Sequence, residues 1–242
     1  MTGALSIAAG LSMLLILFAA GCESTQDKSS ALAKQAVPLK EQQGVTVAQA
    51  NPDVRVLGTT VITDANGSAV VVRMRNTSSR PQANVPIAVD VTDASGKTVF
   101  TNATPGLERT LTHAALIPAR SEAFWVNDQV FATQPPRKAS AKVGPAQGTA
   151  PATDPVRVSQ VRLKDDSVNG LAATGVVTNS GGSDQRRVLL TAVARRGGRI
   201  VAAGRGVVAK VRAGKRARFQ IFFIGSPKGA DVAVVAEPGV SS

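Results

Sequence analysis

Few side chains in this chain could make or break bonds. Cys22 is the only cysteine and His113 the only histidine in 242 residues, so neither a Cys/His nucleophile pair nor a conventional zinc site can be assembled. Asp64-Ala-Asn-Gly67 has the opening of a calcium loop without the later ligands or the closing Glu, and it reads more simply as a hairpin turn. Asp165 and Asp166 are adjacent carboxylates, but neighbours on a strand point to opposite faces, which denies them an acid/base partnership unless the chain turns there. Gly204-Arg-Gly206 lacks the rest of any phosphate loop. No catalytic residue, metal site or cofactor is predicted, and the chain is not expected to be an enzyme. What remains is charge. Lys210, Arg212, Lys215, Arg216 and Arg218 follow one another closely, with Arg186-Arg187 and Arg195-Arg196 upstream. If Phe219 and Ile221 point inward, then Arg216, Arg218 and Gln220 share the outer face, with Lys210 and Arg212 on the preceding strand. The five form a candidate anion-binding stripe; the plainer reading is a soluble surface that protects strand edges.

The other chemistry is at Cys22. From Ala4 to Ala20 the chain has no charged residue and ends in small side chains, as the apolar core and cleavage site of an export signal do. The run is also long enough to span a bilayer as an uncleaved anchor. What separates the two readings is Ala19, Ala20, Gly21 and Cys22, a tetrapeptide that resembles the bacterial lipobox. That resemblance implies diacylglyceryl transfer to the Cys22 sulfur and cleavage after Gly21. Two acyl chains, at about 0.8 kcal/mol per buried methylene, suffice for stable anchoring where one is marginal. Met1 to Ser6 contains no Lys or Arg, so the positive start of the signal comes from the amino terminus or from residues upstream of this Met.

The remaining elements must present whatever the surface does. Residues 1–21 are expected to be signal. Residues 22–52, rich in Ser, Gln, Ala and Lys and free of aromatics, read as a lipid-anchored flexible tether with a span of roughly 30 Å. Residues 53–144 change character: short β-rich runs alternate with turn residues every eight to twelve positions, the pattern of a β-sandwich. After a Pro/Gly/Ala/Thr linker at 145–154, residues 155–242 do the same. With a single cysteine, no internal disulfide can form. Aromatics are scarce at seven Phe, one Trp and no Tyr, so Val- and Ala-rich cores must hold each domain. The net charge of +12 is uneven: 53–144 carries 10 Lys/Arg against 7 Asp/Glu, and 155–242 carries 15 against 5.

The second β-rich segment repeats the first. Val54-Arg-Val56 recurs as Val156-Arg-Val158, Arg75-Asn-Thr-Ser78 as Thr178-Asn-Ser-Gly181, and the Asp93-Ala-Ser-Gly96 turn as Arg195-Arg-Gly-Gly198. Leu116-Ile-Pro-Ala-Arg120 with Phe124 is matched by Val211-Arg-Ala-Gly-Lys215 with Phe219, and Pro136 with Ala139 to Val143 by Pro227 with Ala230 to Val234. This order of strands and turns resembles the FxLYD domain and the cell-adhesion-related domains of bacterial surface proteins. Val91-Thr-Asp93 stands in the place of that family's Leu-Tyr-Asp, whereas the second copy has Arg195-Arg196 before Gly197. The resemblance implies two tandem immunoglobulin-like β-sandwiches used for surface display or binding, with no catalytic residue to carry over.

The expected function is therefore that of a non-enzymatic lipoprotein on the cell membrane, facing outside the cytoplasm. It acts as an interaction or scaffold module whose second domain meets anionic envelope polymers, lipids or an acidic partner. Nucleic acid is not expected, because export removes the chain from it and no stacking aromatics interleave with the cations. The alternative is an accessory ligand-binding module serving an envelope transporter or enzyme.

Overall fold

The computed structural model describes residues 44–149, 156–166 and 170–241. Contacts divide the chain into a unit of residues 1–41, outside the described residues, and a compact unit of 42–242. The signal, the lipobox and most of the tether therefore lie outside the description. Residues 44–52 do not behave as tether. Asn51 donates to the carbonyl of Val143 through its backbone and to that of Gly144 through its side chain, and Val45 is buried.

Among the described residues every regular element is a strand except a single 3-10 turn at Arg109–Leu111. The first half contains β1 (Val54–Asp64), β2 (Gly67–Asn76), β3 (Gln82–Thr92), β4 (Thr98–Thr101), β5 (His113–Ile117), β6 (Glu122–Asn127) and β7 (Lys138–Val143). The second contains β8 (Val156–Asp166), β9 (Gly170–Asn179), β10 (Gln185–Arg196), β11 (Arg199–Val211), β12 (Arg216–Phe222), β13 (Ile224–Gly225), β14 (Asp231–Glu237) and β15 (Val240–Ser241). All pairings are antiparallel. In the first half a β1-β2-β6 sheet faces one in which β4, β5 and β7 pair with β3; in the second, β8-β9-β12 faces a sheet in which β11, β14 and β15 pair with β10. The long β11 does the work of β4 and β5 together, because the first half interrupts that strand with the loop carrying the 3-10 turn.

The repeat is exact enough to number. Asn76 and Asn179 are both fully buried. Each donates through Nδ2 to the carbonyl four residues on, Arg80 or Ser183, both at 2.8 Å, and to the last carbonyl of the strand before the crossover, Ile117 or Val211. Each accepts a backbone N–H at Oδ1, from Ser78 or Gly181. Asn84 and Arg187 take the same left-handed conformation (φ 52° and 54°) at equivalent positions of β3 and β10, each between two ladder pairs with no change of register. Two of the matches shift: Ala139, opposite Val91, corresponds to Val232, opposite Ala194, and not to Ala230, and the aromatic match moves by one residue. The partner of Phe219 is Trp125, not Phe124: Trp125 lies opposite Val72, and Phe219 opposite Gly175, the equivalent of Val72. A one-residue slip exchanges the faces of a strand, so Trp125 enters the core and Phe124 points away from it.

Two apolar cores fill the two halves, and a third lies between them. The outer face of β1-β2-β6, with Ile62, Ala69, Val71 and Val126, packs on the outer face of β10 and β11, with Val193, Ala203 and neighbouring Ile224. Polar contacts ring this seam. Asp64 Oδ2 accepts the N–H of Gly225 at 2.7 Å, Glu237 Oε2 accepts that of Ala115 at 3.0 Å, and Arg187 pairs with Glu108. The nearly buried Arg205 guanidinium pairs with Asp128 at 3.4 Å and donates to Thr110 Oγ1. The linker expected at 145–154 begins as part of the first half, where Gly144, Gln147 and Gly148 donate to carbonyls of β3.

Candidate anion-binding face

The site builds from strand alternation on β12. Phe219 and Ile221 are buried against the second core, while Arg216, Arg218 and Gln220 are exposed on the opposite face. The other three residues of the predicted stripe do not join them. Lys210 lies on β11, in the facing sheet, where its Nζ meets Asp184 Oδ2 at 2.7 Å. That hydrogen bond, with the N–H of Ala213, holds the Asp184 carboxyl below its ordinary pKa. Arg212 and Lys215 are exposed in the turn joining the two sheets, where Gly214 (φ 65°) supplies the left-handed step. A single stripe fails because β11 and β12 are consecutive in sequence but belong to different sheets: the crossing turn separates side chains that a hairpin would have aligned.

The sheet supplies different companions. Reading across β8-β9-β12, Arg157 stands opposite Thr178 and Arg216, Ser159 opposite Val176 and Arg218, Arg162 opposite Thr174 and Gln220, and Lys164 opposite Ala172 and Phe222. Directly opposite residues share a face, so Arg157, Arg162, Lys164, Arg216 and Arg218 form one outward array. Strands lie about 4.8 Å apart, which makes the array roughly 10 Å across. Its middle is a shallow cleft lined by Arg162, Lys164, Thr174, Val176, Arg218 and Gln220. Among the described residues none of these five cations forms an ion pair, and the only carboxylate sharing their face is Asp166 at the end of β8.

The β8 cations were hidden by a bulge. Val156 and Val158 turn inward, then Val161 and Leu163, with Gln160 in the left-handed region (φ 56°) where the register shifts. A strict period of two read through Gln160 places Arg157 and Arg162 on opposite faces; reading each side of the slip separately restores them to one.

The other sequence candidates have structural roles. Asp64 Oδ1 accepts the N–H of Asn66 at 2.7 Å in the β1–β2 turn. Asp165 faces away from Lys164 and Asp166. Gly204 and Gly206 let β11 approach β12 closely: a Cβ at Gly204 would fall 2.0 Å from the carbonyl oxygen of Phe222. His113 is half-buried, and its Nδ1 lies 2.8 Å from Thr112 Oγ1. Burial, and then the Arg109 charge, lower its pKa, so the ring stays neutral at pH 7. No group of His, Cys, Asp and Glu among the described residues is arranged to hold a metal ion, and no helix among them is long and apolar enough to cross a membrane. Compared with known proteins, the chain matches no family model and no curated protein sequence.

Proposed function

We propose that the chain is a lipid-anchored, non-enzymatic module of the cell envelope, attached through Cys22 and facing outside the cytoplasm. Its two β-rich halves are immunoglobulin-like sandwiches, and the open sheet face of the second binds extended polyanions such as phosphate-bearing envelope polymers or anionic lipid head groups. The observation that carries the reading is the array of Arg157, Arg162, Lys164, Arg216 and Arg218 on an uncovered sheet, without ion pairs among the described residues. Lys and Arg on a flat surface attract phosphate through point charge and bidentate hydrogen bonds, and such attraction weakens with salt.

The test uses the full-length chain, its anchor held in neutral detergent micelles, with soluble poly(glycerol phosphate) as the probe. Binding is expected to fall steeply above ~0.15 M ionic strength, where the screening length is about 8 Å. Changing the five array residues to Gln should abolish it, while the same change at Lys210, Arg212 and Lys215 should leave most of it. Equal loss from both sets would sink the assignment to this face. For the anchor, Cys22→Ser should remove metabolic labelling by palmitate, and labelling that survives the substitution rules out lipid on Cys22.

A further inference from the structure

A second cationic site lies away from the array, at the rim of the seam. A cleft of about 400 Å³ is lined by Gly58, Thr60 and Arg73 from the first half and by Arg195, Gly198 and Arg199 from the second. The three arginines come from both sides of the seam. None forms an ion pair among the described residues, and no carboxylate lines the cleft. Arg195 is held in place, with its guanidinium 5.8 Å from the centre of the Phe124 ring, a cation–π distance. The hairpin that presents it differs from its first-half counterpart. There Asp93 accepts N–H groups of its own turn, from Ser95 and Lys97; here a two-residue Gly197-Gly198 turn (φ 55° and 78°) tightens the loop and brings Arg195 and Arg199 to the rim. Gly58 sits at the β1 bulge with nothing within 4 Å of where a Cβ would stand, which leaves the cleft floor open.

We propose that this cleft binds a multiply charged phosphoryl group, gripped by Arg73, Arg195 and Arg199, and that occupancy clamps the two halves together. Three guanidinium groups around one small opening repel one another, and a phosphoryl oxyanion is the ligand whose geometry their planar forks match bidentately. Because the arginines are contributed from both sides of the seam, binding stabilises the closed arrangement by mass action. The site is independent of the proposed sheet face.

The experiment is calorimetric titration of the full-length chain in detergent, at constant ionic strength, with two probes. Pyrophosphate represents a free oligophosphate, and glycerol 3-phosphate the monoester of a lipid or polymer. Saturable binding of either one supports the site, and their ratio tells which source it serves. Arg73→Gln and Arg199→Gln should each weaken binding about tenfold or more, the worth of a charge-assisted pair. Pyrophosphate should also raise the melting temperature of the parent chain and not of either variant. Arg157→Gln with Arg162→Gln should leave both effects intact while binding of poly(glycerol phosphate) is weakened. Unchanged fluorescence of the single tryptophan, Trp125, would show that each variant is folded. No saturable binding, binding untouched by both rim substitutions, or binding lost with the sheet-face substitutions would each overturn the proposal.

Discussion

Replacing Asn179 by Ala removes three side-chain hydrogen bonds at one stroke: to the carbonyls of Ser183 at 2.8 Å and Val211 at 3.0 Å, and from the N–H of Gly181 at 2.9 Å. The backbone bond from Asn179 to the Lys215 carbonyl survives. A typical intramolecular hydrogen bond contributes a net ~1 kcal/mol, and more when its loss strands a buried partner. The expected cost is therefore about 3 kcal/mol. Asn76→Ala should cost as much, because its side chain holds Arg80, Ile117 and Ser78 in the same way. For a unit of this size, 1 kcal/mol corresponds to roughly 2–4 °C in melting temperature, so each variant should melt about 6–12 °C lower by calorimetry. The shared seam adds a sharper requirement. If Ile62, Val71, Val126 and Val193 weld the halves, both variants lower one common transition and the double variant lowers it by nearly the sum. Two transitions, each moved by only one of the substitutions, would show that the halves unfold separately. A drop below about 2 °C in both would refute the hydrogen-bond argument itself.

Arg205→Ala should destabilise by about 3 kcal/mol in chemical denaturation, because it leaves Asp128 without its partner at the seam, while Arg205→Met should cost clearly less by filling the same space without a charge. A Met variant no better than Ala would contradict that. Arg120 (φ 53°) occupies the position where the second half has Gly214 (φ 65°); because the left-handed conformation costs a side-chain-bearing residue about 1 kcal/mol, Arg120→Gly should raise the melting temperature by a degree or more. A fall would mean that the Arg120 side chain contributes something its backbone geometry does not reveal.

The turns carried most of the readable information. Asn76 and Asn179, Asp93-Ala-Ser-Gly96, and the Val-Arg-Val strand starts were legible because each does a local job with few chemical solutions. Two things were not. The register of β6 was displaced by one because Phe124 and Phe219 look alike in sequence, whereas the equivalent core position is filled by Trp125 in one half and Phe219 in the other, a swap of one aromatic for another that pattern matching passes over. The seam was missed although it left a mark. Residues 69–72 and 188–194 are buried without a break, and a strand that reads as continuously apolar is covered on both faces. Those two runs belong to β2 and β10, which contribute Ala69, Val71 and Val193 to the third apolar cluster.

The same seam explains where the charge lies. By register, Ile62, Val71, Phe124 and Val126 of the first half correspond to Lys164, Thr174, Arg218 and Gln220 of the second. In the first half these positions face the neighbouring half and are apolar; in the second they face open space and are polar or cationic. A cation at Ile62 or Val126 would have to be desolvated between two sheets without a partner, which buried charges do not tolerate. An Ile at Lys164 would join Val176 and Phe222 in an exposed apolar patch on a sheet whose outer strand is a free edge, the combination that favours association between chains. Covering one copy of the face and leaving the other open therefore dictates opposite chemistry at equivalent positions. Solubility alone asks only that the open face be polar, and mixed charges would satisfy it. The outward positions of β8 and β12 instead carry five cations, against the single carboxylate of Asp166 at the strand end.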